Sequence, residues 1–137
     1  GGDAVFFVFQ HDSEKSMQHI LPLFIAAATS GEADITKAAM MIDRYLCYTE
    51  QVQLYGTQAF RKIGAGQNRT DIPLQLYPIA DEQNLISRRE RIGLPDFGEN
   101  CKRLGVVYTP ITERPDYKTI PLKFKWINQG YLLGGKE

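Results

Sequence analysis

Apolar residues along this chain follow two different periods, and the change falls near Glu50. Before it, Met17, Ile20, Leu21, Phe24, Ile25 and Ala28 recur at the spacing of an amphipathic helix. Ser13 suits its N-cap, with Glu14 close to the positive helix end. The preceding Gln10-His11-Asp12-Ser13 reads as a tight corner. Pro22 removes a backbone donor and crowds the turn before it, which predicts a kink. Gly31 ends the helix as a left-handed cap residue. Asp34 then caps a helix running to about Tyr48, with Ile35, Ala38, Ala39, Ile42, Tyr45 and Leu46 on one face. Ahead of both, Ala4–Phe9 is uniformly apolar, so periodicity does not decide it. A short helix is favoured there, with a buried strand as the alternative.

After Glu50 the alternation has period two, in Gln51-Val52-Gln53-Leu54-Tyr55 and again in Asp71–Tyr77. The segment between them holds Gly64, Gly66 and Asn68, all turn formers. This pattern predicts a β-hairpin, with Pro73 confining its second strand to an edge. On the first strand Tyr55 and Thr57 would share one face, and Gly56 and Gln58 the other. Asp81 to Gly93 and Asp96 to Gly105 then read as two further helices. Pro110, Pro115 and Pro121 argue for an extended path afterwards, and Leu122, Phe124 and Trp126 for a late strand. The predicted fold class is α+β, mainly helical, with about five helices around a short β-hairpin. Residues 1–105 form the helical domain with the hairpin inserted at about 50–79. Residues 106–137 are an extended C-terminal tail packed on the same domain.

Composition narrows the function classes. Lys+Arg and Asp+Glu both number 16, so the basic excess expected of a nucleic-acid or anionic-membrane binder is missing. The longest apolar stretches fall well short of the ~20 residues that span a bilayer. Cys47 and Cys101 lack metal-motif spacing and are expected to be buried thiols, with a single bridge open if the protein is exported. Gly1-Gly2-Asp3 carries no signal-peptide pattern and reads as a tag remnant or the interior of a longer precursor. The compartment, cytoplasmic or exported, stays open.

Candidate chemistry gathers at the margins of the apolar segments. Gln53-Leu54-Tyr55-Gly56-Thr57-Gln58 concentrates hydrogen-bonding groups among residues expected to be buried. An unpaired buried polar group costs about 1–3 kcal/mol, so this run should belong to a network. At ~100° per residue Asp43 falls beside Ala39 and Leu46 on the edge of its helix stripe, half-buried, while Arg44 points almost opposite. The alternative for Asp43 is an ordinary surface acid. His11 can act as acid or base near neutrality, with Gln10 beside it. His19 could share its corner, but the spacing fits no zinc signature, and no metal or cofactor is expected. The thin Gly64–Arg69 resemblance to a phosphate loop lacks the Gly-Lys-Ser/Thr ending and reads as a loop tip. Arg88 and Arg89 lie about 100° apart, so at most one should face a shared site. The alternative is a solvated face paired with Asp81 or Glu90. Asn68-Arg69-Thr70 is a sequon with nothing else to suggest its use.

These residues together resemble a bacterial family of unknown function, the domain-of-unknown-function family numbered 6624. The resemblance runs from about Val8 to Leu94. It rests on Gln10-His11, Leu21-Pro22-Leu23, Gly31-Glu32, Asp43-Arg44, Gln53-x-Tyr55-Gly56-Thr57-Gln58, Pro78-Ile79, Asp81, Asn84, Arg88-Arg89 and Gly93-Leu94. It implies helices around a short hairpin, polar positions at Gln10, His11, Asp43, Arg44, Tyr55, Thr57, Gln58 and Arg89, and a further helical piece ahead of Gln10. It implies no reaction.

Two functions remain in view. One is a ligand-binding or protein-interaction module with a polar network around Asp43, Arg44 and Tyr55–Gln58, taking a small polar ligand or a protein partner. The other is a small hydrolase- or transferase-like enzyme. There His11 would be general acid or base, Asp43 its orienter, and Gln10, Arg44, Tyr55, Thr57, Gln58 and Arg89 would bind.

Overall fold

A computed structural model of the chain describes residues 11–61, 64–68, 71–115 and 117–123, with backbone only at 11–14. Two helices carry the core. The first, α1, spans His11–Thr29 and continues through Pro22. It is already helical at His11, so helix replaces the expected corner at 11–13 and the Ser13 cap, while Gln10 lies outside the described residues. The apolar Ala4–Phe9 run lies outside the described residues.

Gly31 takes φ +85° after α1, and Glu32 N–H closes back on Ala27 O at 2.8 Å. The second helix, α2, spans Ile35–Glu50, two residues longer than the expected end at Tyr48. Asp34 caps it, its carboxylate accepting from the N–H groups of Thr36 and Lys37 at 2.8 and 3.3 Å. The expected stripe is the buried one: Ala38, Ala39, Ile42, Tyr45 and Leu46 pack against Met17, Leu21, Ile25 and Ala28 of α1. Removing each large aliphatic side chain from water contributes about 1.5–3 kcal/mol.

The chain then reverses into a loop over 51–58, and here the sequence-based expectation fails. A hairpin is present, but its first strand is later than expected. Strand β1 is Ala59–Phe60, paired antiparallel with β2, Gln75–Leu76, in the register Ala59 to Leu76 and Phe60 to Gln75. Residues 51–55 form no strand; Gln53 alone makes a parallel bridge to Ile79. The reason lies under the loop: a buried carboxylate draws its N–H groups inward, and Gly56, at φ +70°, turns the chain. Period-two alternation arises here from a wrapped loop, so the proposed strand faces for Tyr55 to Gln58 do not exist.

A short 3-10 turn, Glu82–Asn84, leads into α3, Leu85–Arg91, which ends before Gly93 at φ +71°. Asp96 caps α4, Phe97–Leu104, through Glu99 N–H at 3.1 Å, and Gly105 follows in the left-handed region. Ile79, Leu85, Phe97 and Cys101 form a second small apolar cluster. Beyond Val106, which bridges Leu74, the chain runs irregularly past a 3-10 turn at Ile111–Glu113. Ile120 and Leu122 return to the main core. The fold is therefore mixed α+β with a short antiparallel hairpin. Four α-helices lie among the described residues, where about five were expected along the whole chain. The expected strand around Phe124 and Trp126 lies outside the described residues.

Candidate functional site

Asp43 lies at the centre of the polar cluster. It sits on the stripe margin of α2, as its helical angle requires, yet it is 0% exposed because the loop over 51–58 closes on top of it. It is neither the half-buried acid nor the surface acid expected from α2 alone. Its Oδ1 accepts from Leu54 N–H at 2.8 Å and Tyr55 N–H at 2.9 Å. Its Oδ2 accepts from Thr57 N–H at 3.0 Å and the Thr57 hydroxyl at 2.7 Å, with a longer contact to Tyr55 N–H at 3.2 Å. Burial pushes the Asp43 pKa up, while the Thr57 hydroxyl and the loop N–H groups pull it back. Every one of these partners is a donor, an environment that suits the ionised carboxylate.

The carbonyls of the same loop are held from the opposite side by α3. Arg88 donates to Leu54 O at 2.9 and 3.1 Å, Ala80 O at 2.7 Å and Asp81 O at 2.8 Å. Arg89 donates to Tyr55 O at 2.6 Å and Pro95 O at 2.7 Å, and its guanidinium lies 5.1 Å from the centre of the Phe97 ring. Both arginines are buried, against the expectation that at most one would face the site. Leu54 and Tyr55 offer successive carbonyls, so two adjacent side chains can each find one. Burial lowers the pKa of both; the Asp81 carboxylate, 3.5 Å away, is the main charge opposing that shift at Arg88, and the Asp43 charge is the main one at Arg89. Asn100, on α4, reaches Gly56 O at 3.4 Å.

Gln53 closes the loop internally. It is 0% exposed; its side-chain amide donates to Gln58 O and Tyr77 O, each at 2.9 Å, and accepts from Gln58 N–H at 2.8 Å. Gln58 adds a bond to the Thr57 hydroxyl at 3.1 Å. A Cβ on Gly56 would stand 2.6 Å from Phe97 Cε1, so both the turn and the packing require glycine there.

Of the expected site residues, Asp43, Tyr55, Thr57, Gln58 and Arg89 meet in one cluster. Arg44 is half-buried at the next position of α2, and burial lowers its pKa. Gln10 and the His11 side chain lie outside the described residues. Arg88, Gln53 and Asn100 belong to the cluster although they were not among the chosen residues. Arg88 and Gln53 lay inside quoted motifs; Asn100 had no signal beyond its place beside Phe97 and Cys101. Cys47 and Cys101 are both buried free thiols, as expected. Burial pushes both thiols up, and the Asp43 charge adds to the effect at Cys47.

A cleft of about 530 Å³ opens elsewhere, between the end of β2 with its following turn and the segment after Val106. Tyr77, Tyr108 and Tyr117 stand in its lining. Glu82 also lines it, with its side chain only 8% exposed; it accepts from the Tyr108 hydroxyl at 3.1 Å and pairs with Arg114. The Arg114 guanidinium lies 5.8 Å from the centre of the Tyr117 ring. No sequence motif pointed to this cleft.

Among the described residues, no group of three or more His, Cys, Asp or Glu side chains is placed to hold a metal ion. No described helix is long and apolar enough to cross a membrane. Family models, curated proteins and solved structures were compared with the chain, and none of them matches it.

Proposed function

We propose that this protein is a ligand-binding module in which the Asp43 cluster is scaffold and the cleft beside Glu82 is the binding surface. The observation carrying this reading is the saturation of Asp43. A carboxylate that is 0% exposed and ringed by loop donors has no path to a substrate and no free edge to orient an imidazole. Its partners are main-chain N–H groups and the Thr57 hydroxyl, whose positions it fixes. The cleft, by contrast, is open and of ligand size; such pockets run to about 300–1,000 Å³. Its lining mixes aromatic rings with a buried acid and an arginine.

The resemblance to the family numbered 6624 fits this reading, because the Asp-Arg, Gln-x-Tyr-Gly-Thr-Gln and Arg-Arg motifs supply most of the scaffold cluster. Thermal unfolding of Gln58→Ala, Arg44→Ala and His11→Ala tests it. The first two should lower the melting temperature by several degrees, roughly 1–2 kcal/mol for a chain of this size, and the third should leave it unchanged. A His11→Ala protein with full stability but without a wild-type cellular phenotype would favour the enzyme reading instead.

A further inference from the structure

We infer that the cleft takes a small organic monoanion, a carboxylate on an aromatic or branched apolar body. This rests on the binding-module reading above and assigns the class of its ligand. Three observations carry it. Glu82 is the acid among the described lining residues, and both of its oxygens are already engaged, one by Tyr108 and one by Arg114. Its charge is therefore answered internally, and each of its oxygens already carries a donor. On the basic side there is a surplus. Arg114 and Lys118 both line the cleft, so among the described lining residues two cations face one carboxylate. Arg114 answers Glu82, while Lys118 has no ion pair with a described carboxylate and is exposed. The Arg114 Nε is moreover buried without a hydrogen-bond partner among the described residues. A group in that state is a donor awaiting an acceptor, because leaving it unmet costs free energy.

Charge selects the ligand's head. One uncompensated cation matches a single negative charge; a phosphate dianion would leave a charge unbalanced in a partly desolvated site. The walls select its body. Leu76, Pro78, Ile79 and Ile120 supply apolar surface, and the tyrosine rings supply flat faces. Val107 stands on the same lining at 91% exposure, an apolar side chain that a bound body would cover.

The test is a two-dimensional amide NMR titration of the full chain with sodium benzoate at constant ionic strength. Benzamide, phenyltrimethylammonium and inorganic phosphate are run as comparators. Saturable shifts confined to the amides of residues 75–77, 79, 107–109, 114 and 117–120 are expected with benzoate. Benzamide should bind about threefold more weakly, and Lys118→Gln should weaken benzoate by a similar factor, the size of one exposed ion pair. Lys118 is exposed, so its substitution does not threaten the fold. Benzamide or the ammonium probe binding as tightly as benzoate would overturn the anion assignment while leaving a binding module in place. Phosphate binding as tightly would overturn the carboxylate. If no probe moves the cleft resonances, the ligand class and the binding-surface reading both fall.

Discussion

Replacing Asp43 by alanine should cost about 4 kcal/mol. Alanine strands three main-chain donors, at Leu54, Tyr55 and Thr57, together with the Thr57 hydroxyl. Leu54 and Tyr55 are buried, so their N–H groups have no water to turn to, at about 1–3 kcal/mol each. Thr57 is half-buried and can recover part of its loss from solvent. The buried charge of Arg89 also loses its main compensation, whereas Arg88 keeps its ion pair with Asp81 at 3.5 Å, and breaking a buried charge set by removing one partner costs about 3–5 kcal/mol. These penalties overlap, which is why about 4 kcal/mol is expected instead of their total. Asp43→Asn should fall between, near 2 kcal/mol. Its amide oxygen can serve the Thr57 side, but its NH2 then confronts Leu54 N–H. Thr57→Val removes only the 2.7 Å hydroxyl bond and should cost about 1 kcal/mol. Urea unfolding followed by far-ultraviolet circular dichroism gives all three, provided the slope is unchanged. An Asp43→Ala midpoint within about 1 kcal/mol of wild type, or a Thr57→Val loss equal to it, would show that the loop is held by something else.

Three further outcomes are expected. Gly56→Ala should destabilise by about 2–4 kcal/mol, combining left-handed backbone strain with the Phe97 clash, and relief by Phe97→Leu in the same chain would confirm the steric share. Arg88→Lys should cost about 2–3 kcal/mol, because one ammonium cannot reach the carbonyls of Leu54, Ala80 and Asp81 together; wild-type stability would refute the clamp. Burial, then the Glu82 charge and hydrogen bond, pushes Tyr108 up to about 12 from its ordinary 10.0. Between those values the unfolded chain releases a proton that the folded chain keeps. Stability is therefore whole below pH 10 and lost as pH rises through the folded value. Burial raises Tyr77 as well, so ultraviolet titration should show late-ionising phenol, and Tyr108→Phe should remove the part that titrates near 12.

What the sequence revealed depended on how local the cause was. The helices bounded by Asp34 and Asp96, and those closed by Gly31, Gly93 and Gly105, were legible because capping chemistry acts within one turn. The buried face of α2 was legible from its period. The strand at 51–55 was misread because alternation records burial, not pairing, and a loop wrapped over a carboxylate alternates as well. Asp43 looked marginal from its helical angle because the covering loop comes from outside the helix. Arg88 and Arg89 looked mutually exclusive for the same reason: helical geometry fixes directions, not what waits there. The cleft left no trace in the sequence, since it joins Glu82 to Tyr108 and Arg114 across more than twenty residues.

The two grips on the 51–58 loop differ in how much chain must be gathered to make them. Asp43 lies 11 to 14 positions from the amides it binds, whereas Arg88 and Arg89 lie 34 from their carbonyls and Asn100 lies 44 from its own. Closing the wider interval costs about 1 kcal/mol more in chain entropy. The aspartate should thus capture its loop early, soon after the second helix forms, and present a preformed row of carbonyls for the arginine helix to find. Substitutions at Asp43 should then slow folding, and those at Arg89 chiefly hasten unfolding.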